Sequence, residues 1–453
     1  MRTLADLARN LVRVDWREHA ALLRWLARWL LLGSVVGVLA GASSAVFLYG
    51  LALATAAQTS TSWLLLLLPV GGLVVGLGYH HLGGRSAGGN NLIVDELHGL
   101  AADVGRPADD HRWLPRRMAP LVLLGTWVTH LFGGSAGREG TAIQMSGSLS
   151  DGLSRALRLG PSDRRLVLVA AVAGGFGSVF SVPLAGAVFG LEVQRVGRIR
   201  HDALVPALAA SLVGNVVFHA LDLPHDVTPR LPLPEVALAP GLLLRVAVAS
   251  LAFAAAALLF VELTEGLRRA FRRLVAHPAL RPAVGGLVVV ALVLLLDARA
   301  YTGLSLPLIG EAIGGGQVVA HAFALKLLLT AVTLGAGFQG GEVTPLFVIG
   351  ATLGAALAGP LGVDQGLLAS IGFVAVFAAA TNTPLACIVM GVELFGAGAL
   401  PYLALGCVLA YVASSHRGIY SSQRIDAPKG ATHPGEASLQ ELGEDRPGWL
   451  RRR

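Results

Sequence analysis

Chemistry in this chain of 453 residues centres on Arg138 and Glu139, within the stretch GGSAGREGTAIQMSGSL that spans residues 133–149. Gly133, Gly134, Gly137 and Gly140 strip side chains from the approach, so backbone N–H groups can face whatever sits there. The residues from Thr141 onward read as helix. Free N–H groups at a helix start, together with the positive end of its dipole, make an anion site. Glu139 is then a resident anion tethered by its own chain, with which a free anion can compete. A carboxylate at membrane depth is a functional candidate by default. The plainer reading is a glutamate neutralised by Arg138 that holds a turn in place.

The elements that position this stretch belong to a membrane protein. Hydrophobic residues make up 54% of the chain, charged residues 14%, and there are 57 glycines. With a mean hydropathy of +0.66 the composition lies outside that of soluble domains. Abundant Gly and Ala suit close helix packing in lipid. Cys387 and Cys407 both lie in apolar runs, which supports neither a disulfide framework nor a cysteine metal site. No cofactor is implied. His80, His81 and His98 lack metal-ligand spacing and are read as residues at the aqueous edge. The net charge of +7 maps to loops and ends, so it argues for positive-inside topology and against nucleic-acid binding.

Taken in order, residues 1–28 read as an amphipathic helix on the cytoplasmic surface, without the short apolar core of a removed signal peptide. A first transmembrane unit covers 29–220. Within it, residues 83–99 (GGRSAGGNNLIVDELHG) are glycine-rich and then short and polar, which indicates a re-entrant or broken helix. Residues 221–240 are rich in proline and nearly free of Lys and Arg, and are read as an external linker. A second unit covers 241–424, and 425–453 form a polar cytoplasmic tail. Basic turns at 195–200 and 268–281 face the cytoplasm. Several apolar segments fall short of about 17 residues, so tilted and partial helices are expected. The result is an all-α, multi-pass protein of the cell (inner or plasma) membrane with both termini cytoplasmic.

The chain repeats itself. Residues 134–147 (GSAGREGTAIQMSG) align with 337–350 (GFQGGEVTPLFVIG), placing Gly134, Gly137, Glu139, Thr141 and Gly147 on Gly337, Gly340, Glu342, Thr344 and Gly350. A second pair, FSVPLAGAVFGLE ending at Glu192 and ATNTPLACIVMGVE ending at Glu393, recurs at nearly the same offset. Two homologous halves of inverted topology follow, with the substrate site where broken helices from both point their N-termini.

These motifs resemble those of the CLC family of chloride channels and proton-coupled anion antiporters, over about residues 29–423. The GREGT of 137–141 is similar to the family's gating-glutamate motif, which gives Glu139 the role of external gate. GGEVTP (340–345) stands where chloride members carry glycine, phenylalanine and proline, and Tyr420 takes the place of the pore tyrosine. Gly89, Asn90, Asn91 and Leu92 replace the Gly-Ser-Gly-Ile-Pro pattern of chloride members. Together with Glu342 and Thr344 this GNN is similar to the fluoride-exporting branch. The pore-serine position falls near Gly88, and the inner proton-relay glutamate is replaced by Val193.

What the resemblance implies is a fluoride/proton antiporter, with Glu139 and Glu342 as candidates for gating and proton coupling. Candidate anion-binding groups are Gly88, Gly89, Asn90, Gly137, Arg138, Gly140, Thr141, Val343, Thr344 and Tyr420. Partners are fluoride or chloride, protons, the lipid bilayer and a second copy in a two-fold homodimer. Helix capping is the plainer role for Asn90 and Asn91, and a structural carboxylate that for Glu342. Structural hydrogen bonding is also the role expected of Glu192, Glu393, Asp95 and Glu96. A chloride/proton antiporter or passive chloride channel is the alternative, and an intramembrane enzyme is disfavoured because no nucleophile motif is present.

Overall fold

In the computed structural model the described residues are 16–102, 113–226, 229–429 and 439. Helix dominates, and the only strands among them are the two-residue pieces β1 (Arg195–Val196) and β2 (Arg424–Ile425), which pair in parallel. The expected surface helix at 1–28 lies partly outside the described residues. From Trp16 onward it is continuous with the first apolar run, as α1 (Trp16–Ser60). Most of the 425–453 tail also lies outside them.

After a 3-10 turn (Ser62–Leu67) come α2 (Leu68–Gly78), two tight turns and α3 (Gly89–Ala102). The first half continues with α4 (Met118–Leu131), α5 (Glu139–Ala156), α6 (Pro161–Phe180), α7 (Pro183–Glu192) and α8 (Leu204–Ala220). The second half holds α9 (Pro240–Leu274), α10 (Arg281–Leu295), α11 (Leu306–Ile313) and α12 (Ala322–Gly335). It closes with α13 (Val343–Leu361), α14 (Gln365–Thr381), α15 (Pro384–Phe395) and α16 (Leu400–Ala413). Helices α4 to α8 correspond in order and length to α12 to α16.

The correspondence extends to the turns. Helix α6 ends on Ser181 and α14 on Asn382, both left-handed (φ 56° and 59°), and a proline then opens the next helix in each half. Proline suits that first position because the N–H it lacks has no intrahelical partner there. Among the described residues six stretches are long and apolar enough to cross a membrane, among them Trp16–Ser60, Pro240–Leu274 and Val343–Leu361, while α4, α7, α12, α14, α15 and α16 are shorter.

Small residues let these helices touch. Along α1, Gly33, Gly37 and Gly41 face Pro206, Ala210 and Gly214 of α8 so closely that any Cβ would lie within 2.9 Å of a backbone oxygen. Outside the packed interior, large side chains such as Leu30, Leu53, Leu244, Leu251 and Leu287 are exposed, as the outer face of a protein in lipid requires. Among its described residues the linker at 221–240 carries no helix until Pro240, and it folds back on the second half, with Leu233 N–H donating to Phe395 O and Val236 N–H to Gly398 O.

Candidate functional site

The two repeated motifs meet. Gly137 and Gly341 form an antiparallel bridge, Gly137 N to Gly341 O at 2.6 Å and Gly341 N to Gly137 O at 2.8 Å. Each motif then turns into its own helix, α5 or α13. Glu139 opens α5 and is fully buried. Its Oε2 accepts from Thr344 N at 3.1 Å and Arg138 N at 3.2 Å, and its Oε1 accepts from the Thr344 hydroxyl. The carboxylate of the first half thus rests on the N-terminus of a helix from the second. Glycine is required on both sides, because a Cβ on Gly137 or Gly341 would lie 2.8 Å from Glu139 Oε2.

Arg138 points elsewhere. Its guanidinium donates to Asp226 O at 2.5 Å in the linker and stacks over Phe180 at 5.9 Å. Its charge still lies within electrostatic reach of Glu139, while the hydrogen bond between the two residues runs from the Arg138 backbone N–H. Thr141 likewise faces away, its hydroxyl sharing a 2.7 Å hydrogen bond with Thr126 of α4. Val343 is buried at the start of α13.

Asn90 and Gly140 touch, since a Cβ on Gly140 would lie 2.8 Å from Asn90 Nδ2. Asn90 and Asn91 lie in the first turn of α3, and Asn91 Oδ1 accepts from Ser422 N at 3.2 Å instead of capping its own helix. That bond fixes the segment carrying Tyr420. Tyr420 is 3% exposed, its hydroxyl has no hydrogen-bond partner, and both Glu139 and Glu342 lie within its electrostatic reach. Gly88 is exposed at the end of the turn before α3, and Gly89 takes φ 57° there.

Sequence reading missed Gln144. A Cβ on Gly89 would lie 3.5 Å from its Nε2, and its Oε1, like Asn90 Oδ1 and the Tyr420 hydroxyl, is buried without a partner. The Gln144 and Asn90 side chains both border the Gly89–Gly140 region, next to the start of α5. Only its position, one turn beyond Glu139 on a helix, could have signalled Gln144.

Glu342 is the repeat counterpart of Glu139 but is not its structural twin. It caps nothing among the described residues and lines a cavity of about 510 Å³ with Glu262, Glu265, Arg268, Arg272 and Arg417. Three arginines there share one carboxylate, with Arg268, Arg269 and Arg272 all within 3.4 Å of Glu265.

Glu192, Glu393 and Glu96 are held in hydrogen bonds and ion pairs. Glu192 accepts from Leu385 N and Ala386 N at 3.1 and 2.8 Å, and Glu393 accepts from Leu184 N and Ala185 N at 3.0 and 2.7 Å. Each carboxylate sits on the N-terminus of the helix across from its own. Glu96 joins Arg85 and Arg164, and Arg164 also binds Asp151 at 2.5 Å, whereas Asp95 is exposed. His80 and His81 are exposed as expected. His98 is not: it is buried, with Nε2 3.1 Å from Gln194 O, because α3 turns that face onto the segment preceding β1.

Comparison with known proteins agrees with this architecture, as residues 71–415 match the family described as voltage gated chloride channel. The chain belongs to that family. It is a membrane transport family, so the protein is not an enzyme. The chain is 44% identical over 418 residues to the chloride/fluoride channel protein of Pseudomonas syringae pv. tomato, covering 91% of this chain and 90% of that one. It is 27% identical over 394 residues to the H(+)/Cl(-) exchange transporter ClcA of Vibrio vulnificus, covering 81% of each. Among solved structures, that of a CLC-type fluoride/proton antiporter superposes with a TM-score of 0.82 at 34% identity, over 88% of this chain and 98% of that chain. A slow cyanobacterial Cl-/H+ antiporter shares the fold at 19% identity, with a TM-score of 0.68 over 86% and 93%.

Proposed function

We propose that this protein exports fluoride in exchange for protons, with Glu139 as both gate and proton carrier. The observation that carries the reading is the Glu139 carboxylate seated on the α13 N-terminus by the N–H and hydroxyl of Thr344. Those donors are what a small anion would bind. Protonation weakens the carboxylate's hold and releases the place, so occupancy by Glu139 and by an external anion alternate, with one proton carried at each release.

Fluoride is small and strongly hydrated, so a selective site must replace its water with dense donors. Backbone N–H groups near Gly137, Gly140, Thr141 and Val343, the Thr344 and Tyr420 hydroxyls and the Asn90 amide are the candidates, with Gly88 and Gly89 leaving room beside them. The relatives named for fluoride favour that anion over chloride. Glu342 is the candidate for the inner proton step, since Val193 stands where a carboxylate would otherwise serve. No side-chain hydrogen bond among the described residues ties Glu342 down, and it lines the cavity flanked by Arg268 and Arg417.

The basic turns at 195–200 and 268–281 support a cytoplasmic placement of that cavity, with both termini on the same side of the inner or plasma membrane and 221–240 outside. The two halves, 29–220 and 241–424, act as one repeat pair, and two copies assemble as a homodimer with one pathway per subunit.

The test is simultaneous recording of fluoride, chloride and proton fluxes from liposomes carrying the purified protein. Fluoride efflux should drive proton uptake. Glu139→Gln and Glu342→Gln should each abolish proton movement; proton coupling that survives Glu139→Gln would refute the gate. Chloride moving as fast as fluoride would assign the chloride exchanger instead.

A further inference from the structure

Helix α12 is apolar except for one stripe. Lys326, Thr330 and Thr333 recur at the i, i+4, i+7 spacing that puts them on one face. This face meets the turn that presents Glu139. Ser135 N donates to the Thr333 hydroxyl at 3.3 Å, and Ser135 Oγ lies 2.9 Å from Thr330 Oγ1 and donates to Tyr301 O at 2.9 Å.

Lys326 holds the other side of that carbonyl. Fully buried, its ammonium donates to Tyr301 O at 3.2 Å, Gly303 O at 2.7 Å and Ser305 Oγ at 3.0 Å. All three acceptors are neutral. No carboxylate among the described residues pairs with it, so its ammonium form has no counter-charge in the protein interior. A buried charge of that kind is costly unless something nearby profits from it. The repeat does not require it either, because Val122 and Leu123, at the matching turn of α4, are apolar.

The other charged and titratable groups around this turn are Arg138, Glu139 and His130. Arg138 is drawn to the linker at Asp226. His130 is buried between Thr126 O at 2.9 Å and Ala136 O at 3.2 Å, within electrostatic reach of both Lys326 and Arg138. From another side, Tyr420 lies within electrostatic reach of Glu139. Among these groups Glu139 is the carboxylate, and it lies four residues from Ser135 on the braced turn.

We propose that Lys326 is a positioning residue for Glu139: it braces the Tyr301–Ser305 turn, which anchors Ser135 four residues before the glutamate, and its charge favours the ionised carboxylate. The inference rests on the reading of Glu139 as gate. A purely structural lysine would be replaceable by an uncharged side chain without moving any titration.

The experiment is the pH profile of fluoride efflux from liposomes containing the full chain. Lys326→Met should displace the profile to higher pH by on the order of one unit, the size of a charge interaction across a protein at an effective dielectric of about 20. Lys326→Arg should restore the wild-type profile, and Ser135→Ala, which cuts the brace but keeps the charge, should slow transport without displacing it. Should Lys326→Met fail to fold, Lys326→Gln serves, since it can still donate to the carbonyls. A folded Met or Gln variant whose profile superimposes on wild type overturns the proposal. Persisting proton coupling in Glu139→Gln overturns the gate reading instead, and so separates the two failures.

Discussion

Replacing Thr344 by valine removes one hydrogen bond from the Glu139 carboxylate and leaves the shape of the helix start almost unchanged. Thr344 is fully buried, and its hydroxyl is the one side-chain donor that the described contacts give the carboxylate. The Thr344 and Arg138 N–H groups remain, at 3.1 and 3.2 Å. A hydrogen bond to a charged group contributes about 1.5–3 kcal/mol. Losing it should weaken the carboxylate's hold on the α13 N-terminus by roughly 10- to 150-fold, since about 1.4 kcal/mol is tenfold. The same hydroxyl is a candidate donor to fluoride, so the apparent fluoride affinity moves by the difference between the two losses, while the weaker carboxylate lets more anions cross per proton. Paired fluoride and proton fluxes from liposomes measure both quantities. Thr344→Ser, which keeps the hydroxyl, should stay close to wild type. If valine leaves both the apparent fluoride affinity and the coupling ratio within twofold of wild type, the hydroxyl does not hold the gate.

Two further expectations concern the scaffold. Gly350 of α13 and Gly372 of α14 lie against each other's backbone, and a Cβ on Gly350 would lie 2.0 Å from Gly372 O. Gly350→Ala should therefore cost at least about 1–3 kcal/mol by overpacking and yield aggregated protein on extraction, read by size-exclusion chromatography. Beyond α16, Lys429 donates to Tyr411 O at 2.7 Å and Ser414 Oγ at 3.1 Å, and burial pushes it down to about 7. The unfolded segment holds the lysine proton up to about pH 10.4, so between these values it binds more protons than the docked one. Docking is weakest below pH 7 and strengthens as pH rises. Limited proteolysis near residue 429 should slow from pH 6 to pH 9, and Lys429→Met should flatten that dependence.

How much of this was legible in the sequence depends on the distance over which each feature is specified. The GREGT and GGEVTP repeat and the short helices α7 and α15 follow from residues adjacent in the chain, and they lie where sequence reading put them. Thr344 as holder of Glu139 is a contact across 205 positions. The repeat placed Thr344 in the same motif class as Thr141, yet the two hydroxyls do different things, one binding the carboxylate and the other Thr126. Arg138 beside Glu139 suggested a local pair, but the linker competes for the guanidinium through Asp226 O. Hydropathy alone cannot distinguish a face turned to lipid from one turned to protein, which is why His98 read as an edge residue and is buried. The stripe of Lys326, Thr330 and Thr333 was present as a period in the sequence, but has meaning only once the facing turn is known.

The acids of the two repeats use one physical device in two ways. At α7 and α15 the arrangement is reciprocal: Glu192 sits on the N-terminus of α15 and Glu393 on that of α7, so both helix starts are capped by carboxylates. Such a pair is closed, and no anion can enter without evicting a carboxylate that has no other place to go. At α5 and α13 the symmetry is broken. Glu139 occupies the start of α13, but its counterpart Glu342 does not occupy the start of α5, where no side chain caps the helix. One carboxylate against two helix starts leaves unequal demand for negative charge, which is the condition under which a mobile anion and a tethered one can trade places. The duplication supplies the matched helices, and in the function proposed above the unmatched glutamate turns one of the two crossings from a clamp into a gate.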